Sequence, residues 1–142
     1  MTKRVLKSAL FGLSMSLAVS VWSAPPPLLD DALACPLTSN CVNSYASANL
    51  APFQFQGSAA QGMALLTATL ATFPEAKIVR SEGLALEAIF TTFLGFKDQV
   101  EFRIDESTQR IHFRSRSLVG LYDFGKNRSR MQAIKARFDK PD

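Results

Sequence analysis

The chain has 142 residues, of which 47% are hydrophobic and 20% are charged. That composition is ordinary for a folded protein of one domain, and it excludes an intrinsically disordered chain. The formal net charge is +4. It would favour an acidic partner only if the basic residues belonged to the folded part of the chain.

The first 24 residues have the composition of a secretory signal peptide. MTKRVLK carries Lys3, Arg4 and Lys7, the uncharged segment SALFGLSMSLAVSVW follows, and small residues come before three prolines. A basic start, an apolar centre and small residues at the end are typical of a cleaved export signal, and the apolar segment is short for a membrane span. We therefore predict a signal over residues 1–24, one domain over residues 25–142, and a periplasmic or cell-envelope location.

Removing the signal changes what the charge implies. Without Lys3, Arg4 and Lys7 the chain keeps 13 basic and 12 acidic residues, a net charge near +1. We therefore expect no nucleic-acid partner and, after cleavage, no transmembrane span. The remaining charge is uneven, because residues 25–109 hold 4 basic and 9 acidic residues and residues 110–142 hold 9 basic and 3 acidic ones. Either the C-terminal part faces an anion or it packs beside the acidic part.

Two cysteines begin the predicted domain. Cys35 and Cys41 enclose the polar loop PLTSN. In an exported protein two such cysteines favour a structural disulfide, and their spacing is not the C-x-x-C of a redox pair. The next segment, residues 42–57, shows no clear period, which predicts irregular surface chain.

The first predicted helix covers residues 58–73. Ser58 is a residue type that caps helices, and Pro74 ends the segment. Its apolar residues recur at the spacing of one buried helix face, and they are Met63, Leu66, Leu70 and Phe73. A short strand is predicted over residues 76–83. Residues 84–96 fit both a helix face and a buried strand, so periodicity leaves that segment open.

Two alternating segments predict an antiparallel hairpin. Residues 99–105 (QVEFRID) and 110–117 (RIHFRSRS) alternate between apolar and polar side chains, and the short polar segment ESTQ joins them. The polar side chains expected to share one face of this hairpin are Glu101, Arg103, His112, Arg114 and Arg116. His112 is the single histidine of the chain, and we expect it to be partly exposed among these arginines.

The last predicted helix covers residues 126–138. It follows the Gly-bounded connection LVGLYDFG (118–125), and Asp123 or Asn127 is placed to cap its start. Its apolar stripe consists of Met131, Ile134 and Phe138. The order of elements predicts an α+β fold, in which one helix before and one helix after an antiparallel sheet of three to four strands pack on the same face.

Three segments carry a resemblance to a known family. CPLTSNCVNS, FKDQVEFRID and RSRSLVGLYDFGKNRSR occur in this order and resemble the uncharacterised family called domain of unknown function 1499, over residues 35–138. The resemblance implies an extended conformation for residues 84–96. It implies candidate positions but no mechanism, because no reaction is established for the family.

The arginine-rich end of the third segment is the candidate site. The candidate ligand-binding residues are Arg114, Arg116, Asp123, Asn127, Arg128 and Arg130. Arginine binds carboxylates and phosphates through a fork of N–H donors, and a helix N-terminus favours anions. Arg128 and Arg130 do not share a helix face, so not all four arginines can converge. Two interpretations stay open: a structural clasp in which Asp123 and the acidic strands pair with the arginines, or a site for an anionic small molecule, a lipid headgroup or a protein partner.

We therefore predict an exported binding domain without catalytic residues, cofactor or metal. No nucleophile with a base is evident, and Cys35, Cys41 and His112 lack the spacing of a zinc site. The alternative is a cell-envelope enzyme that uses Cys41 or Asp123.

Overall fold

A computed structural model of the protein describes residues 32–141. In this part of the chain two helices pack on one face of a six-stranded antiparallel sheet, which confirms the predicted α+β fold. The strands are β1 (Cys41–Asn43), β2 (Phe53–Gln54), β3 (Ala76–Glu82), β4 (Ala85–Thr91), β5 (Lys97–Asp105) and β6 (Arg110–Ser117). The helices are α1 (Ala59–Ala71) and α2 (Lys126–Phe138). The predicted signal peptide lies outside the described residues.

The sheet has more strands than the three to four predicted. The strand order is β1–β6–β5–β4–β3, and β2 pairs with β6 alongside β1. β2 and most of β1 lie within residues 42–57, where irregular surface chain was expected. That prediction was wrong, because strands form there and Phe53 and Phe55 are buried. Strands of three and two residues are too short to show a period, so their pattern was not visible in the sequence.

Alternate residues of the strands build the core. The buried side chains of the three central strands are Leu86, Ala88 and Phe90 on β4, Val100, Phe102 and Ile104 on β5, and Ile111 and Phe113 on β6. The side chains between them form the polar face of the sheet. The ambiguous segment 84–96 is therefore a strand up to Thr91, as the family resemblance implied, and a loop after it.

The helices cover this face as their apolar spacing predicted. Leu66 and Leu70 of α1, and Met131, Ile134 and Phe138 of α2, are buried. Ser58 caps α1 in a reciprocal arrangement with Gln61: its Oγ accepts from the Gln61 N–H at 3.3 Å, and its own N–H donates to Gln61 Oε1 at 2.8 Å.

The predicted hairpin is present as β5 and β6, with the turn over residues 106–109. Its register sets Glu101 opposite Arg114 and Arg103 opposite His112, as expected from the alternation. Hydrogen bonds from the side chains of Ser107 and Thr108 hold the pKa of Asp105, at the start of the turn, below its usual value.

Three loops lie together at the other end of this hairpin. Asp98 faces Ser117, and Cys41 faces Arg116, so the segments before β5, after β6 and before β1 leave the sheet at the same end. We call these three segments the loop end; they are residues 35–40, 92–96 and 118–125. The second belongs to the β4–β5 turn, and the third leads into α2. The Leu118 N–H donates to the carbonyl of Lys97 at 3.0 Å. This bond holds the segment 118–125 beside the residue that directly follows the segment 92–96.

Candidate functional site

A disulfide closes the first loop of the loop end. Cys35 and Cys41 are bonded, with their Cα atoms 5.6 Å apart, which confirms the predicted pair. The bond removes both thiols from chemistry at this position. It also closes a small ring immediately before β1, so the segment leading into the sheet is covalently fixed to the first residue of that strand.

The disulfide loop supports the connection between β6 and α2. Asn40 Nδ2 donates to the carbonyl of Gly120 at 2.6 Å, and Ser39 Oγ donates to the carbonyl of Leu121. In return, the Asp123 N–H donates to the carbonyl of Ser39 at 3.2 Å. Two of the segments that carry the family resemblance, CPLTSNCVNS and RSRSLVGLYDFGKNRSR, therefore meet at this point.

Replacing Cys35 and Cys41 together by serine is expected to lower the free energy of unfolding by about 2 kcal/mol, the chain-entropy value for so short a ring. Urea denaturation of the parent and the double variant measures the difference. Reductant should lower the stability of the parent to that of the variant and leave the variant unchanged. Equal stability of the oxidised parent and the variant would contradict a stabilising role for the bond.

Asp123 caps α2. Its Oδ1 accepts from the Gly125 N–H at 2.9 Å, and its Oδ2 accepts from the Asn127 N–H at 2.9 Å and from Asn127 Nδ2 at 2.7 Å. The N-cap position itself is Gly125, so Asp123 satisfies the first turn of α2 from two residues before that position, and Asn127 lies inside the helix. No ion pair within residues 32–141 includes Asp123, so in that part of the chain Asp123 does not take part in the clasp with the arginines. The acidic strand β5 does pair with them, through Glu101 with Arg114 and Asp98 with Arg130.

Arg130 lies in the core between α2 and β5. The residue is 9% exposed, and its Nη2 donates to Oδ2 of the buried Asp98 at 2.5 Å. Its Nη1 donates to Oδ1 of Asn127 at 2.8 Å, an oxygen that also accepts from Ser115 Oγ at 2.6 Å. The guanidinium lies 5.0 Å from the centre of the Phe90 ring. Arg130 and Asn127 are therefore residues that hold the helix start on the sheet, with the charge of Arg130 neutralised by Asp98.

Arg114 and Arg116 lie on the polar face, opposite the helices. Arg114 forms a two-pronged ion pair with Glu101 and donates to the carbonyl of Ala34 at 2.7 Å. Arg116 donates to the neutral amide of Gln99 at 2.8 Å. Glu101 therefore neutralises Arg114, whereas the charge of Arg116 is left uncompensated by this contact.

Arg128 lies at a third position, beside the disulfide. Its Nη1 donates to the neutral carbonyl of Ala48 at 2.5 Å, and it forms no ion pair with the residues that the structure describes. The six candidate residues thus do not form one pocket. Arg114 and Arg116 are on the polar face, Arg128 is near the β1 edge, and Arg130 is in the core.

His112 is buried, and the expectation of partial exposure was wrong. Only 8% of the residue is exposed. Its ring stacks on Tyr45, with the ring centres 4.3 Å apart, and its Nδ1 lies 3.3 Å from Ser44 Oγ. The chain leaving β1 covers this part of the polar face, a contact that the aperiodic sequence of residues 42–57 does not indicate.

The sequence reading also missed an exposed apolar surface. Of the twelve large hydrophobic residues that are exposed in residues 32–141, nine belong to the loop end: Leu37, Phe93, Leu94, Phe96, Leu118, Val119, Leu121, Tyr122 and Phe124. The signal was present in the letters FLGF and LVGLYDFG, where apolar residues surround turn-forming glycines. LVGLYDFG is predicted only as a connection, and FLGF lies in the segment 84–96, which fits both a helix face and a buried strand. Neither prediction shows that these side chains point outward.

Neither helix of the described part has the length and hydropathy to cross a bilayer. No three potential metal ligands come together within residues 32–141.

The comparisons with known proteins agree with the resemblance in the sequence. The family described as "Protein of unknown function (DUF1499)" matches residues 31–138. No curated protein matches the chain. Since the family match spans most of the chain and includes the disulfide loop, the whole sheet and both helices, the chain belongs to the DUF1499 family, whose description assigns no activity.

Proposed function

We propose that this protein is an exported, non-enzymatic domain whose loop end binds the phosphate groups of an anionic membrane surface. The observation that carries the proposal is a group of four cations beside the loop end that no carboxylate of residues 32–141 neutralises. They form what we call the basic rim: Lys97, Arg116, Lys126 and Arg128. None of them belongs to an ion pair in the part of the chain that the structure describes.

The fold distributes the basic rim around the loop end. Lys97 begins β5, and Arg116 lies near the end of β6. Arg116 pairs with Gln99, which is two residues after Lys97, so Arg116 and Lys97 are diagonal neighbours on the same face of the sheet. Lys126 is the first residue of α2, in the other layer, and Arg128 lies two residues further on. Cations are thus placed on several sides of one end of the molecule, which suits an extended anionic surface better than a single small ligand.

Few carboxylates lie near the basic rim, and most of them already bind other groups of the protein. Asp98 is buried with Arg130, and Asp123 caps α2. Glu75 is exposed, and it lines, with Lys126, a cavity of about 340 Å³ between α2 and the end of β4. Because the remaining accessible charge is mainly positive, the loop end is expected to attract anions at moderate ionic strength.

The contacts divide the six candidate residues into two groups. Arg116 and Arg128 form no ion pair with any of residues 32–141 and belong to the proposed binding surface. The other four, Arg114, Asp123, Asn127 and Arg130, hold the strands and the helix start together. The enzymatic alternative is less well supported, because Cys41 is bonded to Cys35 and the carboxylate of Asp123 accepts three hydrogen bonds within its helix cap.

The proposed location rests on two features. The first 24 residues have the pattern of an export signal. The Cys35–Cys41 disulfide is of a kind that persists in oxidising compartments. A periplasmic or cell-envelope location places the loop end within reach of anionic phospholipid headgroups.

Vesicle sedimentation tests the proposal. The protein recovered from the exported fraction is expected to bind vesicles containing phosphatidylglycerol, to bind phosphatidylcholine vesicles weakly, and to be released as salt is raised. Replacing Lys97 and Lys126 by glutamine should weaken binding about 10- to 30-fold, from roughly 1 kcal/mol for each cation at an anionic surface.

The matched control removes the same charge elsewhere. Arg110 and Lys140 are exposed at the opposite end of the molecule, and their double glutamine variant should bind like the parent. Equal weakening of both double variants would show that net charge, and not the loop end, determines binding. Displacement of the protein from vesicles by millimolar glycerol phosphate would identify a small soluble phosphate as the ligand instead of a membrane.

A further inference from the structure

We propose that two apolar loops of the loop end, residues 92–96 and 118–125, enter the interface of an anionic bilayer while the basic rim contacts the headgroups. This inference rests on the proposed function and adds how the membrane is bound. It assigns a direct role to side chains that are neither part of the core nor part of the candidate arginine cluster.

The apolar side chains of these two loops are highly exposed to solvent. Phe93 is fully exposed, at 102%, and Phe124 is 90% exposed. Leu121, Leu94 and Tyr122 follow at 79%, 76% and 64%. Exposed hydrophobic residues scattered singly over a surface need no explanation, but a contiguous group of them marks an interaction site. The other three exposed large hydrophobics of the described chain are Tyr45, Val79 and Leu84, so the concentration at the loop end is specific.

The two loops are held in shape, so these side chains are presented outward. In the first loop the Thr92 N–H donates to the carbonyl of Phe96 at 2.8 Å, and the Gly95 N–H donates to the carbonyl of Thr92 at 2.8 Å. The second loop is held by Ser39 and Asn40 of the disulfide loop. Preorganised loops lose little conformational freedom on binding, so their apolar area contributes more fully to affinity.

The shape of the patch favours a bilayer as the partner. Phe93 and Leu94 lie at the tip of a tight turn, and Tyr122 and Phe124 lie in the neighbouring connection with their rings in edge contact at 5.0 Å. A partner helix or strand needs a groove or a free sheet edge to bind, whereas protruding loop tips fit a fluid interface that closes around them.

The charges behind the loops fit the same partner. Lys97 directly follows the first apolar loop, and Lys126 directly follows the second. Long basic side chains at this position can keep their charge among phosphates while their aliphatic stems cover apolar surface. Apolar side chains in front and cations behind are the arrangement of proteins that bind at the surface of anionic membranes. We therefore commit to an anionic phospholipid bilayer as the partner.

Removing the two most exposed aromatic rings tests the inference. Phe93→Ser and Phe124→Ser should each weaken binding to phosphatidylglycerol vesicles about tenfold, and together about 100-fold, as expected when a large apolar side chain is lost from an apolar environment. The control is Leu84→Ser, because Leu84 is 49% exposed in the β3–β4 turn at the opposite end of the sheet. This variant should bind like the parent.

A tryptophan reporter measures insertion itself. The chain has one tryptophan, Trp22, which lies in the predicted signal, so Phe93→Trp places a single reporter in the protein once mass spectrometry has shown that the signal is removed. If Trp22 is retained, the same experiment uses a Trp22→Phe background. On anionic vesicles the emission of the Phe93→Trp protein should shift to shorter wavelength and be quenched by brominated acyl chains, and that of Leu84→Trp should not.

The outcomes separate this inference from the proposed function. Vesicle binding that persists in the double serine variant, with no change in the Phe93→Trp emission, would overturn insertion and leave headgroup binding intact. If the Lys97 and Lys126 replacements leave insertion unchanged, insertion of the two loops would be supported, and binding of the headgroups by the basic rim would be refuted. A parent that sediments as a dimer, becomes a monomer in the double serine variant and binds no vesicles would show that the patch joins two copies of the chain, and would overturn both.

Discussion

Asp98→Ala is expected to lower the free energy of unfolding by about 3–5 kcal/mol, because it leaves a buried guanidinium without its counter-charge. Asp98 and Arg130 are 3% and 9% exposed. The neighbours that remain, Asn127 and Ser115, offer Arg130 only neutral oxygens. Urea denaturation followed by circular dichroism measures the loss, which should be among the largest for any single carboxylate in the described chain.

The control for Asp98→Ala is the same substitution in an exposed ion pair. Asp139 accepts from Lys135 at 2.8 Å one helical turn away, and both side chains are more than one third exposed. Asp139→Ala should cost at most about 0.5 kcal/mol, as is usual for such surface pairs. If the two variants lose similar stability, the Asp98–Arg130 pair does not have the role assigned to it. Asp98→Leu combined with Arg130→Met should recover part of the loss, because an apolar pair of similar size removes the unpaired charge.

Phe53→Ala is expected to cost about 3–5 kcal/mol, the usual range for removing a buried aromatic ring. Phe53 is completely buried, and its ring centre lies 5.2 Å from that of Phe113, 5.3 Å from that of Phe138 and 6.2 Å from that of Phe102. A two-residue strand therefore supplies a ring that contacts two central strands and α2. Truncation would leave a cavity that these elements cannot fill without moving.

Phe124→Ala is the matched control for Phe53→Ala. It removes the same ring from a position that is 90% exposed, and a change within about 0.5 kcal/mol of the parent is expected for such a surface site. Thermal and urea denaturation of both variants provide the comparison. A small effect at Phe53 would mean that β2 contributes little to the core.

Phe53 shows where reasoning from the sequence reached its limit. The hairpin of β5 and β6 could be predicted because Val100, Phe102 and Ile104 alternate with polar residues over a strand long enough to show the period. β2 has two residues, and its partner on β6 is more than fifty positions away. Such a pairing depends on contacts between distant segments, and no local pattern indicates it.

The buried charged residues have a recognisable pattern in the sequence. Asp98 is two residues before Val100, so the alternation of β5 places it on the same inward face once the strand is extended to Lys97. Asn127 and Arg130 precede Met131 and Ile134 at helical spacing, and all four share the buried face of α2. A buried charge must be paired in the core. An acidic residue at an inward position of a strand therefore suggests that a basic residue at an inward position of a helix is its partner.

The outward direction of the loop residues could not be predicted in the same way. The glycines of LVGLYDFG correctly indicated turns, and Gly120 and Gly125 adopt positive φ values of 89° and 79°. Gly95 of FLGF also has a positive φ, 83°, but no turn was predicted there. Whether Phe93 and Phe124 fold inward or outward depends on the space that the core leaves, and that space is already filled by Phe73, Phe90 and the α2 stripe.

The pairing of β1 and β2 with β6 alone has a consequence for the order of folding. Ser44, just after β1, bonds to Phe113, which is 69 positions further along the chain. The first strands to leave a ribosome or an export channel therefore have no partner until almost the whole domain has followed them. Pairings between such distant segments form late, because closing the long intervening chain costs entropy before the contacts stabilise it. The six-stranded sheet should therefore be completed only when β6 arrives. For the export proposed above, this delay would keep β1 and β2 unpaired while the chain passes through a channel.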